Sequence, residues 1–110
     1  TAVDAEGSVL FDGHPGTRHL PGFGAGMVPE LSKKISPHRV LRIDDRASVE
    51  AARKLVRTEA ILPGASGGAV IAAVEKLSAD IPAGSDVVVI VHGTRYMDTI
   101  YNDDWVEENL

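Results

Sequence analysis

Ser66 is the residue best placed to do chemistry. It stands in Gly64-Ala65-Ser66-Gly67-Gly68, where every neighbour has a small or absent side chain, at the expected start of a helix. A helix start offers unpaired amides and the positive end of the dipole. Two local readings compete. In one, Ser66 is an N-cap whose oxygen accepts an orphan amide, and the glycines permit close packing. In the other, Gly-x-Ser-x-Gly is a nucleophile elbow, with Asp86 and His92 following in the Ser…Asp…His order of a serine hydrolase. Against the elbow stand Pro63, where a strong strand should feed it, the shortness of the pattern and the small size of the chain.

Other residues are weaker candidates. The stretch Gly22-Phe23-Gly24-Ala25-Gly26 carries three glycines in five positions, so its backbone can adopt positive φ and approach another group closely. A plain surface connection would read the same way. His92 follows an apolar run and so occupies a functional position at a strand end. Asp12, His14 and His19 have ligand chemistry but no metal-site spacing, and His38 precedes a strand, so no metal is expected. Lys33, Lys34, Lys54 and Lys76 lie in polar connections or on helical surfaces, where nothing would make a Schiff-base lysine.

These residues need a scaffold. Thr1 to Asp4 reads as the end of a strand, and Arg39-Val40-Leu41-Arg42-Ile43 as another. Asp45 is the expected N-cap of a helix over 46–59, whose apolar stripe is Val49, Ala52, Leu55 and Val56. Glu50 and Lys54 form an i,i+4 pair on its wet face, with Arg53 and Arg57 solvated. A second helix is expected over 67–79 and a buried strand over 86–91, because that apolar run does not alternate. The tail over 95–105 reads as helical. The alternation of strands and helices argues an α/β fold with a mainly parallel sheet and flanking helices.

Composition narrows the function. The 110 residues suit one domain of modest core, with 44% apolar and 25% charged positions. The net charge of −5 argues against a nucleic-acid partner. No run of 18 apolar residues and no secretory leader pattern is present, so no membrane partner is expected. The absence of cysteine excludes disulfides and thiolate metal sites, and fits a reducing cytoplasm. A start at Thr1, already inside a strand, leads us to expect a piece of a longer polypeptide.

Taken in order, longer stretches carry a resemblance. Gly7-Ser8-Val9-Leu10-Phe11, Pro15-Gly16-Thr17-Arg18, Pro21 through Gly26 and Pro29 resemble the carboxy-terminal half of the cysteine synthase family. Gly64-Ala65-Ser66-Gly67-Gly68-Ala69 resembles that family's Gly-Ile-Ser-Ser-Gly-Ala segment, and Arg95-Tyr96-Met97-Asp98-Thr99 its Arg-Tyr-Leu-Ser/Asp-Thr close. These are pyridoxal-phosphate enzymes of fold type II. The resemblance implies that residues 1–110 form part of the large domain of a tryptophan synthase β-like fold, cytoplasmic and dimeric in the full enzyme. Residues 98–106 and Glu59-Ala60-Ile61-Leu62 are similar to the 2,3-diaminopropionate branch of siderophore and antibiotic biosynthesis, the N-(2-amino-2-carboxyethyl)-L-glutamate synthases. That branch joins O-phospho-L-serine to L-glutamate; cysteine synthase proper uses O-acetylserine and sulfide.

The resemblance places Ser66 opposite the pyridine nitrogen of pyridoxal 5′-phosphate and the loop Gly22, Phe23, Gly24, Ala25, Gly26 beside cofactor and amino-acid substrate. Three departures from the family pattern stand out. Gly67 replaces a serine, Ile90-Val91 replaces Pro-Asp, and Thr94 replaces a glutamate. His92 is the candidate to compensate for the lost aspartate. The family's Schiff-base lysine and phosphate cup have no counterpart here, so no catalytic residue is expected in this segment and an upstream half must supply them. The remaining alternatives are the Ser66–His92 hydrolase and a non-catalytic interaction module.

Overall fold

The computed structural model describes residues 1–93 and 97–110. Two short strands, β1 (Ala2–Ala5) and β2 (Val40–Ile43), pair in parallel, with Ala2 opposite Val40 and Ala5 opposite Ile43. Two helices pack beside them: α1 (Asp45–Glu59) and α2 (Ala65–Leu77). A short α3 (Asp103–Asn109) closes the chain. The α/β class and the parallel sheet are as the sequence implies.

The close approach of α1 and α2 follows from their small residues. Ser48, Val49, Ala51 and Ala52 are buried on α1; Ala65, Gly67, Gly68, Ala69, Ala72 and Ala73 are buried on α2. Ile43, Ala51, Ala69, Ala72 and Ala73 form one core cluster, and Leu20, Val49, Ala52, Ala65 and Ile100 another. Phe23 packs against both. Burying a side chain such as Val49 or Ile100 contributes about 2 kcal/mol.

Several local expectations need correction. The cap of α1 is Asp44, whose Oδ1 accepts the Ala47 amide at 2.8 Å; Asp45 is the first helical residue. The Asp45 carboxylate is taken instead by the backbone N–H of His19 at 2.7 Å, with His19 Nδ1 at 3.2 Å. Lys54 does not pair with Glu50 along its own helix. It reaches Glu75 of α2 at 2.6 Å, because the two helices lie closer than the sequence shows. The α2 helix begins at Ala65 and ends at Leu77, with a 3-10 turn at Ser78–Asp80. The tail folds as turns over 97–101 followed by α3 at Asp103–Asn109, capped by Asn102, so the helix starts eight residues later than expected; residues 95 and 96 lie outside the described part.

Arg53 is not solvated. Its Nε donates to the Ile100 carbonyl at 2.7 Å and its Nη1 to Asp103 Oδ1 at 2.5 Å, clamping the C-terminal segment onto α1. Arg53→Ala is expected to lower stability by about 1.5–3 kcal/mol, since a bond to a charged donor is lost and a carbonyl is left bare. Urea unfolding followed by Trp105 fluorescence reads it, and Arg53→Lys should recover little because lysine has no fork.

The largest departure concerns 86–91. This segment has no helix and no strand pairing. Val87, Val88 and Ile90 are exposed rather than buried. A strand exists through its partner's hydrogen bonds, and none of the described residues supplies them.

Candidate functional site

Two pieces of chain meet at the start of α2. Gly64 caps α2 in extended backbone, and its amide donates to the His92 carbonyl at 2.9 Å. A Cβ on Gly64 would come within 2.9 Å of that same oxygen, so Gly64 is required for the end of the 86–91 segment to lie against the helix start. The Gly64–Gly68 turn and the residues after Val91 are thus brought together, although among the described residues neither follows a strand of the β1–β2 sheet.

Ser66 lies inside the first turn of α2, partly exposed. It is not the cap, so the capping account of this serine fails. Its Oγ has no hydrogen-bond partner among the described residues. The hydroxyl is free to donate to a group placed off the helix start. The nucleophile-elbow reading also lacks its geometry. An elbow holds its serine in a sharp, strained strand-to-helix turn. Here residues 61–63 are not a strand, and the non-glycine residues with positive φ among those described are Phe11, Asp12 and Ala60. His92 offers its carbonyl to Gly64, while its side chain is exposed.

The glycine loop is docked against the end of β1. Gly22 and Gly24 have φ of 97° and 74°. A Cβ on Gly24 would lie 2.9 Å from Ala5 Cβ and 3.0 Å from Arg18 Nη1. Buried Ser8 fixes the loop: its Oγ accepts the amides of Ala25 at 3.0 Å and Leu10 at 3.2 Å, and Val9 N–H donates to the Ala25 carbonyl at 2.9 Å. Arg18 Nη1 reaches the Phe23 carbonyl at 3.4 Å. Phe23 in turn packs on both core clusters, one of which includes Ala65 at the start of α2.

Arg42 steadies the turn on the other side of Ser8. Its Nη2 donates to the carbonyls of Leu10 and Phe11 at 3.0 and 2.8 Å. Those bonds hold Phe11 and Asp12 in the left-handed region, with φ of 49° and 60°. Asp12 and His14 are exposed, and His19 pairs with Asp45. Among the described residues, no three His, Cys, Asp or Glu side chains gather as a metal site.

Sequence reasoning missed Ser8, Arg18, Arg42 and Tyr101 as positioning residues. Ser8, Arg18 and Tyr101 carried a signal, as parts of the longer resemblance; Arg42 carried none. Tyr101 donates its hydroxyl to the Pro63 carbonyl at 2.6 Å, pinning the peptide that leads into α2. Burial raises the Tyr101 phenol above its ordinary value, with Arg53 pulling weakly the other way. The neutral form is therefore the one the fold favours. Its contribution is intact below about pH 10 and is lost as the pH rises through the raised value. Tyr101→Phe should cost about 1 kcal/mol at neutral pH and flatten the alkaline fall in stability. Thermal melts between pH 8 and 11 check both; parallel alkaline losses in the two proteins would contradict it.

Lysines are absent from this gathering. Lys54 pairs with Glu75, Lys33 with Glu30, and Lys34 and Lys76 are exposed elsewhere. No helix among the described residues is long and apolar enough to cross a membrane.

No protein-family model matches the chain. Among solved structures it is similar to the O-acetylserine-dependent cystathionine β-synthase of Helicobacter pylori, with 31% identity and a TM-score of 0.65. The match covers 76% of this chain and 27% of that one, so the chain spans about a quarter of the length of the enzyme it matches. The likeness in sequence as well as in shape supports the cysteine synthase-like reading. In fold, the chain is an α/β segment with a small parallel sheet and flanking helices that matches a fragment of a tryptophan synthase β-like pyridoxal-phosphate enzyme.

Proposed function

We propose that this chain is the part of a pyridoxal-phosphate-dependent β-replacement enzyme that faces the cofactor ring. The observation that carries the reading is Ser66: a hydroxyl free of partners among the described residues, on the first turn of a helix whose start lies against the His92 backbone. The residues fit one end of the cofactor. A neutral hydroxyl donor suits a pyridine nitrogen, because it supplies a hydrogen bond without delivering a full proton. The cofactor, when bound, supplies an electron sink, and such a donor keeps that sink moderate, which favours loss of a β-substituent. The other end needs a lysine and a phosphate cradle, which the rest of the polypeptide would contribute.

The overall reaction breaks the Cβ–O bond of O-acetylserine or O-phospho-L-serine and forms a bond from Cβ to an incoming amine or thiol. Acetate or phosphate leaves, and the nucleophile gives up its proton. L-glutamate as the amine, in 2,3-diaminopropionate synthesis, is supported by the resemblance of residues 98–106 and 59–62. A thiol nucleophile is the second reading, favoured by the cystathionine and O-acetylserine in the matched enzyme's name. This chain's own residues hold and shape. Ser66 would donate to the ring, the amides at the start of α2 would add positive potential, and the loop from Gly22 to Gly26 would border the substrate with little side-chain bulk.

The test is the visible spectrum of the full polypeptide loaded with pyridoxal phosphate. Ser66→Asp should shift the bound cofactor's band, because a carboxylate would protonate the ring. An unshifted band would overturn the placement of Ser66, and a full polypeptide that takes up no pyridoxal phosphate would overturn the function.

A further inference from the structure

The sheet has a gap in it. In a parallel ladder the peptide groups alternate between the two edges. The amides of Ala2 and Glu6 donate toward β2, to Arg39 and Ile43, so those of Val3 and Ala5 point to the opposite edge. Ala5 N–H is met by its own neighbour, the buried Asp4 carboxylate, at 2.9 Å, and Asp4 Oδ2 has no partner among the described residues. Across from that edge lies the unpaired segment 86–90. Between them is a cleft of about 530 Å³, with Val3 on one wall and residues 86–90 on the other. Its floor is Val70, Ala73, Val74 and Leu77 of α2, an i, i+3, i+4, i+7 stripe. Val88 and Ile90, which are 90% and 75% exposed, carry the apolar surface on along the same segment.

We propose that this cleft receives one β-strand, running parallel to β1 and apolar on both faces, from the part of the enzyme outside this chain. The proposal rests on the enzyme reading above, and on the matched structure being several times longer than this chain. A slot between the free edge of β1 and an unpaired apolar segment, floored by an aliphatic stripe, suits a strand buried on both sides, and such strands belong to parallel sheets covered by helices. Insertion would turn 86–91 into the strand its sequence calls for and cover Val3. The alternative occupant is a second copy of this chain.

Amide hydrogen exchange tests it, on the isolated chain and on the full polypeptide expressed from its own reading frame. Val3 and the amides of 87–91 should exchange near the free-peptide rate in the isolated chain. At least three of them should slow about 100-fold or more in the full polypeptide. Val74→Asp, on the cleft floor, should leave the isolated chain's helical signal unchanged and abolish that slowing. Equal exchange in both proteins overturns the proposal. So does slowing in the isolated chain that rises with concentration as its mass doubles, which would make the occupant a second copy. The readout needs no cofactor, so slowed exchange in a full polypeptide that binds no pyridoxal phosphate would keep the strand and reject the enzyme.

Discussion

Replacing Gly68 by alanine is expected to destabilise the chain by about 3 kcal/mol or more, a large part of what a domain this size possesses. A Cβ at this position would lie 2.0 Å from the Ser48 carbonyl oxygen and 2.9 Å from Ala52 Cβ. The obstacle on α1 is backbone, which cannot rotate away as a side chain can. The α1–α2 pair would have to separate, opening both core clusters that run between the helices. Gly67→Ala meets Pro63 Cβ at 2.7 Å and Val91 Cγ1 at 3.1 Å, atoms of side chains, so a smaller loss of about 1–2 kcal/mol is expected. Urea midpoints by circular dichroism would rank the two. Equal midpoints for Gly68→Ala and the parent sequence would contradict the helix contact.

On the proposed function, Ser66→Ala in the full, cofactor-loaded polypeptide should lower kcat about 100-fold, the usual cost of one preorganised donor lost at a centre where charge develops. Stability should change little. The hydroxyl has no partner among the described residues, and alanine is a good helix former within a first turn. That separation is the point of the variant. Gly68→Ala harms the fold and its activity together, whereas Ser66→Ala should leave the melting temperature in place and remove rate. Ser66→Thr keeps the hydroxyl and should recover part of the loss. A loss of stability matching the loss of activity would make Ser66 a structural residue.

Much of the scaffold can be read from residue patterns. The β2 strand, α1 and the parallel arrangement follow from β-branched content, the apolar stripe and the alternation of elements. Cap placement shifts by one residue because Asp44 and Asp45 are equivalent in sequence; only the position of His19, far away in the chain, decides which carboxylate faces the helix amides. The pairing of Lys54 with Glu75 and the clamp from Arg53 to Ile100 are contacts between elements, which no local spacing announces. Ser66 was visible through its glycine neighbours, but its freedom from capping depends on α2 starting at Ala65. The 86–91 segment shows the converse case. Its sequence asks for a buried strand, and the described residues leave it unpaired and exposed.

The most direct measurement of the central claim uses pyridoxal phosphate labelled with nitrogen-15 in the ring, bound to the full enzyme. If Ser66 donates to that nitrogen, its resonance should sit where a neutral, hydrogen-bonded pyridine does. It should move toward the unbonded position in Ser66→Ala and toward the protonated position in Ser66→Asp. A resonance that is the same in all three proteins would contradict the account.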